Sequence, residues 1–252
     1  MISSVPMSAS LNLAGVKALT FDVFGTTVDW RGSIIRESEQ WARVKGVQLD
    51  GPRFADRWRA AYRPSMDKVR QGALPWMKLD DLHRRVLDDL LVEFNLTGLA
   101  DVERGHWNRV WHRLTPWPDA VAGLTRLRKK FLIATLSNGN VSLLLDMAKH
   151  AGLPWDAVLS AELFRHYKPD RETYLGAADL LGCQPAEVMM VAAHPEDLHA
   201  ARACGLMTAF VARPLEFGPA QTPPAPATES FDVTAADFLD LADQLSAAIV
   251  KT

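Results

Sequence analysis

The chain has 252 residues, with 28 Lys plus Arg against 30 Asp plus Glu and a formal net charge of −2. That length holds one domain with a large insertion, or two modest domains, around a sizeable core that needs no covalent staple. The slightly acidic balance excludes partners that demand a basic face, so neither nucleic acid nor a membrane surface is expected.

Residues 1–12 are small and polar, without the basic start and apolar centre of a secretory leader, and read as a flexible tail. No run of about 18 apolar residues follows, so no membrane span is expected. With Cys183 and Cys204 in no disulfide or zinc spacing, the chain reads as cytoplasmic. The first apolar run, residues 16–21, predicts a strand that ends at Asp22 and a Gly25-Thr26 turn.

From residue 30 to 115 the texture changes to helical periodicity, carried by Ile34 and Trp41, then Phe54, Trp58 and Tyr62, then Leu79 to Phe94, then Val110, Trp111 and Leu114. Ser33 is expected to cap the first of these helices, and Pro116 and Pro118 to stop the last. Beyond them, apolar runs at 131–136, 157–159, 188–193 and 208–211 alternate with helical segments that close on Gly152, Gly182 and Gly205. The alternation predicts an α/β architecture: a Rossmann-like parallel sheet wrapped by helices, formed by residues 13–29 and 116–252, with an all-helical cap of residues 30–115 inserted after the first strand. Residues 214–230, with five prolines, read as a surface loop before the last strand and helix.

Four places carry chemistry. Asp22 stands at the C-terminal end of a strand, where open α/β sheets collect their reactive groups. Phe24, two places on, cannot donate a proton, so a nucleophilic Asp22 needs a leaving group that departs unaided, as a halide does and an alcohol does not. Ser137 and Asn138 end the second core strand, Lys168 sits before Pro169, and His194 and Asp197 follow the fourth apolar run. A lysine ammonium beside Asp22 favours its ionised form, and the hydroxyls of Thr26 and Ser137, with N–H groups near Gly25 and Asn138, can hold carboxylate oxygens.

In order and strand context these residues resemble the four motifs of the haloacid dehalogenase superfamily, and Phe24 and Ala193, where phosphatase members carry acids, resemble its type II L-2-haloacid dehalogenases. That resemblance implies hydrolysis of short L-2-haloalkanoic acids to D-2-hydroxy acids through an aspartyl ester, with no cofactor and no metal. It implies Asp22 as nucleophile, Lys168 beside it, Asp197 pairing with the lysine and helping to activate the hydrolytic water, Tyr174 six residues after the lysine, and an arginine early in the cap. Arg59, beside Trp58, is chosen for the halide, with Arg57 and Arg63 as neighbours; Val23, Phe24, Trp58, Ser137 and Asn138 are placed on the substrate. His194 stands where many members have Asn, and is expected to orient water or polarise the ester. Relatives of this kind are often homodimers.

Other readings stay open. The same covalent step can open a strained ring such as an azetidine acid; a phosphatase is disfavoured by Phe24 and Ala193, and a silent binding protein by retention of Asp22 and Lys168. Helical spacing makes core packing the default for the tryptophans, and His83, His106 and His112 read as surface or packing residues.

Overall fold

In the computed structural model, residues 13–221 and 231–250 are described. The expected tail at 1–12, and most of the proline-rich part of the expected loop at 214–230, lie outside them. In chain order the elements are β1 (Ala18–Phe21), β2 (Val28–Asp29), α1 (Trp30–Lys45), α2 (Gly51–Ala60), α3 (Tyr62–Arg70), α4 (Leu79–Glu93), α5 (Asp101–Asn108), β3 (Thr115–Pro116), α6 (Ala120–Leu127), β4 (Leu132–Ser137) and α7 (Val141–Ala151). There follow β5 (Ala157–Ser160), α8 (Ala161–Phe164), α9 (Arg171–Leu180), β6 (Val188–Ala192), α10 (Pro195–Ala203), β7 (Met207–Val211), β8 (Val233–Ala235) and α11 (Phe238–Val250).

Six strands form one parallel sheet in the order β5-β4-β1-β6-β7-β8. The winding reverses at β1, whose two neighbours are therefore far apart in sequence, and this is the place where such sheets open a crevice at their carboxyl ends. Every residue of β1 is buried, and successive side chains go to opposite layers, as the pleat requires. Leu19 and Phe21 pack with Leu124, Met147 and Phe238, while Ala18 packs with Ala134, Met190, Tyr174 and Leu198. Burial on both faces explains why these strands read as continuous apolar runs rather than alternating ones.

The two crossings between sheet and helical insertion run side by side as the antiparallel ribbon β2-β3, Val28 opposite Pro116 and Asp29 opposite Thr115. Here the expected cap residue changes. Asp29, not Ser33, caps α1, accepting from the Gly32 N–H at 2.8 Å. The Ser33 hydroxyl instead donates to the Asp29 carbonyl at 2.6 Å and accepts from the Thr115 N–H at 2.9 Å, tying one crossing to the other. A carboxylate beside the first free N–H groups of a helix outcompetes a hydroxyl one turn further in.

The helical stretch expected to run through Phe54, Trp58 and Tyr62 is broken at Ala61 into α2 and α3. Pro64 has no N–H to give to the Ala60 carbonyl, and its ring crowds that carbonyl, so the helix restarts. Arg59, near the end of α2, lies against Tyr62, at the start of α3.

His112 is no plain packing residue. Its Nδ1 lies 2.8 Å from Asp146 of α7 and its Nε2 3.1 Å from Asp80 of α4, and Asp80 also accepts from the Asn140 side chain at 2.9 Å. Burial opposes protonation of His112, but the two carboxylates outweigh it and raise its pKa. His83, by contrast, is buried against Trp111 at 4.2 Å and pushed down to about 3 by burial, so its imidazole is neutral. His106 is exposed. Among the described residues no helix is long and apolar enough to cross a membrane.

Candidate active site

A cleft of about 780 Å³ opens over the carboxyl end of the sheet, roofed by Arg59, Tyr62, Arg63 and Met66 of α2 and α3. Its floor holds Asp22, Phe24, Asn138, Lys168 and Asp197. The ladder places the nucleophile candidate: the Asp22 N–H donates to the Val191 carbonyl at 3.0 Å, extending the pairing of β1 with β6 by one residue before the chain turns.

Asp22 is held at both oxygens. Lys168 Nζ donates to Oδ1 at 3.0 Å; Thr26 Oγ1 donates to Oδ2 at 2.7 Å, and His194 Nδ1 lies 3.0 Å from the same oxygen. Burial alone would raise the Asp22 pKa, but Lys168, His194 and Thr26 outweigh it and hold the carboxyl well below the usual carboxylate range. Lys168 also donates to Asp197 Oδ2, whose other oxygen accepts from Tyr174 Oη at 2.5 Å. Asp197 is raised instead, by burial and by the nearby Asp22 charge. Two carboxylates thus share one ammonium and are driven apart, one kept ionised and one made more basic. Lys168 itself is held charged by this pair against the cost of burial.

One member of the cluster was not foreseen. Glu216, in the loop after β7, is 2% exposed and accepts from Trp30 Nε1 at 3.1 Å; His194 Nε2 lies 3.0 Å from it. Burial would lower the His194 pKa, but Glu216 foremost and then Asp22 push it up to about 10, so the imidazole is a cation between two carboxylates at neutral pH. Gly25 makes room for this: its φ is +86°, and a Cβ there would meet Glu216 Oε1 at 2.1 Å. The loop is pinned by the buried Arg213, which donates to the Thr26 carbonyl at 2.7 Å and forks onto Asp119 at 2.7 and 2.8 Å. A loop just past a strand's carboxyl end was the available signal, although its prolines read as surface.

The haloacid dehalogenase-like hydrolase family matches this chain over residues 16–205. The chain belongs to that family. Within it, the chain is 30% identical over 215 residues to an (S)-2-haloacid dehalogenase of Xanthobacter autotrophicus, covering 79% of this chain and 76% of that one. Two solved structures superpose with a TM-score of 0.89: a defluorinating L-2-haloacid dehalogenase, 49% identical and covering 92% of this chain and 95% of that one, and a second L-2-haloacid dehalogenase, 51% identical and covering 92% and 99%. These place the chain in the L-2-haloacid dehalogenase branch, and its parallel sheet with surrounding helices is the fold of that branch.

Within this haloacid dehalogenase fold, Asp22, Thr26, Lys168, Tyr174, His194 and Asp197 form one hydrogen-bonded cluster, and Arg59 and Asn138 face the cleft. Three residues expected on the substrate stand away from it. Ser137 is fully buried, its Oγ accepting from the Gly139 N–H at 3.1 Å, because the strand pleat turns it into the sheet and leaves Asn138 to face the cleft. Val23 is 1% exposed within the core, and its carbonyl accepts from Thr27 and Val28 in the turn. Trp58 is 1% exposed, with Nε1 donating to the His83 carbonyl at 3.2 Å; a residue next to Arg59 points about 100° away around the helix, into the cap core. The N–H of Gly25 is also taken, by the Val28 carbonyl at 3.0 Å.

Of the three arginines, Arg57 is spent on Glu93 at 2.9 Å and Arg63 pairs with Glu196 at the rim. Arg59 lies with its guanidinium carbon 4.4 Å from the centre of the Tyr62 ring, and its Nη1 is buried without a hydrogen-bond partner. At the positions of the phosphatase acids, Phe24 packs edge-on against Trp111 at 5.6 Å and Ala193 offers only its N–H, to Thr26 Oγ1 at 2.9 Å.

Proposed function

We propose that the chain hydrolyses short L-2-haloalkanoic acids to D-2-hydroxy acids through an ester on Asp22. The observation that carries this reading is the pairing of an ionised, buried Asp22 with an unpaired arginine donor across the cleft: one serves to attack, the other to receive an anion. Asp22 Oδ1 has a single donor, Lys168, whereas Oδ2 has both Thr26 and His194 beside it, so Oδ1 keeps the lone pair for C2. The C2–O bond forms as the carbon–halogen bond breaks, and the halide carries its electron pair in line toward the roof and Arg59. The substrate carboxylate lies against Asn138.

Water then attacks the aspartyl carbon. Asp197, raised by burial and within reach of Lys168, takes the proton; Oδ2 becomes the oxyanion, held by Thr26 and the His194 cation, and as it collapses the bond from the aspartyl carbon to Oδ1 breaks, the hydroxy acid leaving with Oδ1 and with the proton that Asp197 returns. Glu216 keeps that cation charged even when Asp22 is neutral as an ester. Activity on fluoro acids belongs to this reading, because the chain is 49% identical to a defluorinating relative. The reading is tested by a halide-release screen on L- and D-2-halopropionates, with chiral analysis of the product, run with and without chelator. D-2-hydroxy acid from the L substrate alone, at equal rates in both conditions, is expected; loss on chelation restored by Mg²⁺ points to phosphoryl-type chemistry instead.

Two outcomes follow from the charges. The rate of ester hydrolysis is expected to rise through an acidic limb above the usual aspartate range, as Asp197 loses its proton, and to fall at alkaline pH, where His194 loses its own; that limb lies below the value of about 10 of the free site, because the esterified Asp22 no longer adds its charge to that of Glu216. His194→Asn should remove the alkaline fall, and its persistence in that variant assigns the limb to another group. Arg59→Ala is expected to cost about 10²-fold or more in halide release, while Arg57→Ala, whose side chain is exposed on Glu93, changes it little; the reverse order places the halide elsewhere.

A further inference from the structure

We propose that Tyr62 is a second ligand of the departing halide, its phenol O–H donating beside Arg59, and that this donor favours fluoride over the heavier halides. The inference rests on the dehalogenase reading above. Tyr62 opens α3 directly after the helix break, lines the cleft, and presents its ring face to the Arg59 guanidinium at 4.4 Å. Attack from Asp22 on the sheet sends the leaving group in line toward the roof, where these two side chains meet.

The hydrogen is free to be given. Asn138 Oδ1, the nearby amide oxygen, is occupied by the Lys168 N–H at 2.7 Å and does not take the phenol hydrogen. Among the described residues the phenol hydrogen has no acceptor, and burial foremost keeps the phenol protonated by raising its pKa above 10. The roof therefore carries two donors without acceptors, the Tyr62 O–H and Arg59 Nη1, around a space closed by Phe24, whose ring centre is 6.2 Å from that of Tyr62.

Fluoride concentrates its charge in the smallest volume and accepts hydrogen bonds most strongly, so its departure depends most on donors fixed beforehand. Bromide spreads its charge and leaves with less help. No proton is transferred in this step: the carbon–halogen electron pair goes to the halide, which leaves as an anion held by the O–H and the guanidinium.

The test is single-turnover halide release from L-2-fluoro-, 2-chloro- and 2-bromopropionate by the unmodified protein and by Tyr62→Phe. The variant keeps the ring, its packing on Phe24 and its contact with Arg59. It is expected to lose about 10²-fold on the fluoro acid, about tenfold on the chloro acid and less on the bromo acid. Fluoride should also weaken as a product inhibitor in the variant more than bromide does. Equal slowing on all three acids overturns the proposal, because a residue that merely positions Asn138 or the ring would act on every substrate alike. So does a rise in KM at unchanged kcat, and so does an unmodified protein that releases chloride and bromide but no fluoride. Release of no halide from any acid by the unmodified protein overturns the dehalogenase reading itself.

Discussion

Asp22→Asn is expected to bind 2-haloacids and turn none over, with its thermal midpoint close to that of the unmodified protein. An amide oxygen has no charge to displace halide, and the neutral side chain still accepts from Thr26, which donates to it at 2.7 Å. Lys168 and His194 lose one partner each but keep Asp197 and Glu216, so no buried cation is stranded. The companion measurement is one turnover of the unmodified protein, in excess over substrate, in heavy-oxygen water. The hydroxy acid should emerge unlabelled and the Asp22 peptide should gain one heavy oxygen. Asp22 Oδ1 supplies the oxygen that goes to C2, and water reaches product only after first entering the carboxylate. A labelled first product would mean that water attacks C2 directly, with Asp22 or Asp197 as base, and would end the covalent reading.

Lys168→Met should lose at least about 10²–10³-fold in kcat/KM. The methionine fills the stem's volume but leaves Asp22 and Asp197, both about nine-tenths buried, facing each other without the ammonium they shared; Asp22 keeps only His194, on its other oxygen. Ionising both then carries the repulsion of two close like charges, and the Asp22 pKa rises from its depressed value. The acid limb of the pH–rate profile should move up, and the protein should be less stable at neutral pH than at low pH, where protonation of either carboxylate relieves the strain. For Asp22 the sign is the usual one for a depressed acid: in the unmodified protein the Lys168 pairing stabilises the fold above the unfolded pKa of 3.8 and fades only as pH falls through the lower folded value. A near-normal rate in Lys168→Met, with an unmoved acid limb, removes Lys168 from the mechanism.

The charges around His194 give it a part that its position in the chain does not. A histidine where relatives carry Asn reads as a group that orients water or polarises the ester. Between Asp22 Oδ2 and Glu216 it is a cation to about pH 10 in the free site, which favours the second of these: it is suited to hold the oxyanion of the second step, leaving proton removal to Asp197. Glu216 decides this, and it lies 22 positions after His194. The pair meets only because Arg213 ties the loop after β7 to the nucleophile's turn.

The sequence by itself determined the parallel sheet, because strands buried on both faces must be continuous apolar runs and helices between them must close on glycines. With the sheet came most of the site. Parallel strands all end on one edge, so Asp22, Asn138, His194 and Asp197, each just past an apolar run, had to converge there; Lys168 and Tyr174 were named by the resemblance to the dehalogenase family, not by pattern. What only the tertiary structure decided lies between elements or within one residue of a strand's end. The pleat turned Ser137 inward and Asn138 outward, a difference of one position that apolar pattern alone does not register. Pro64 broke a helix whose period looked unbroken, and packing decided that Trp58 turns into the cap core while Arg59 faces the cleft beside Tyr62. Glu216, His112 and Asp119 take their charges' partners from segments far away in the chain. Hydrophobic period encodes which face of an element is buried, but an ion pair between loops depends on where two separately folded segments end, and no local pattern carries that information.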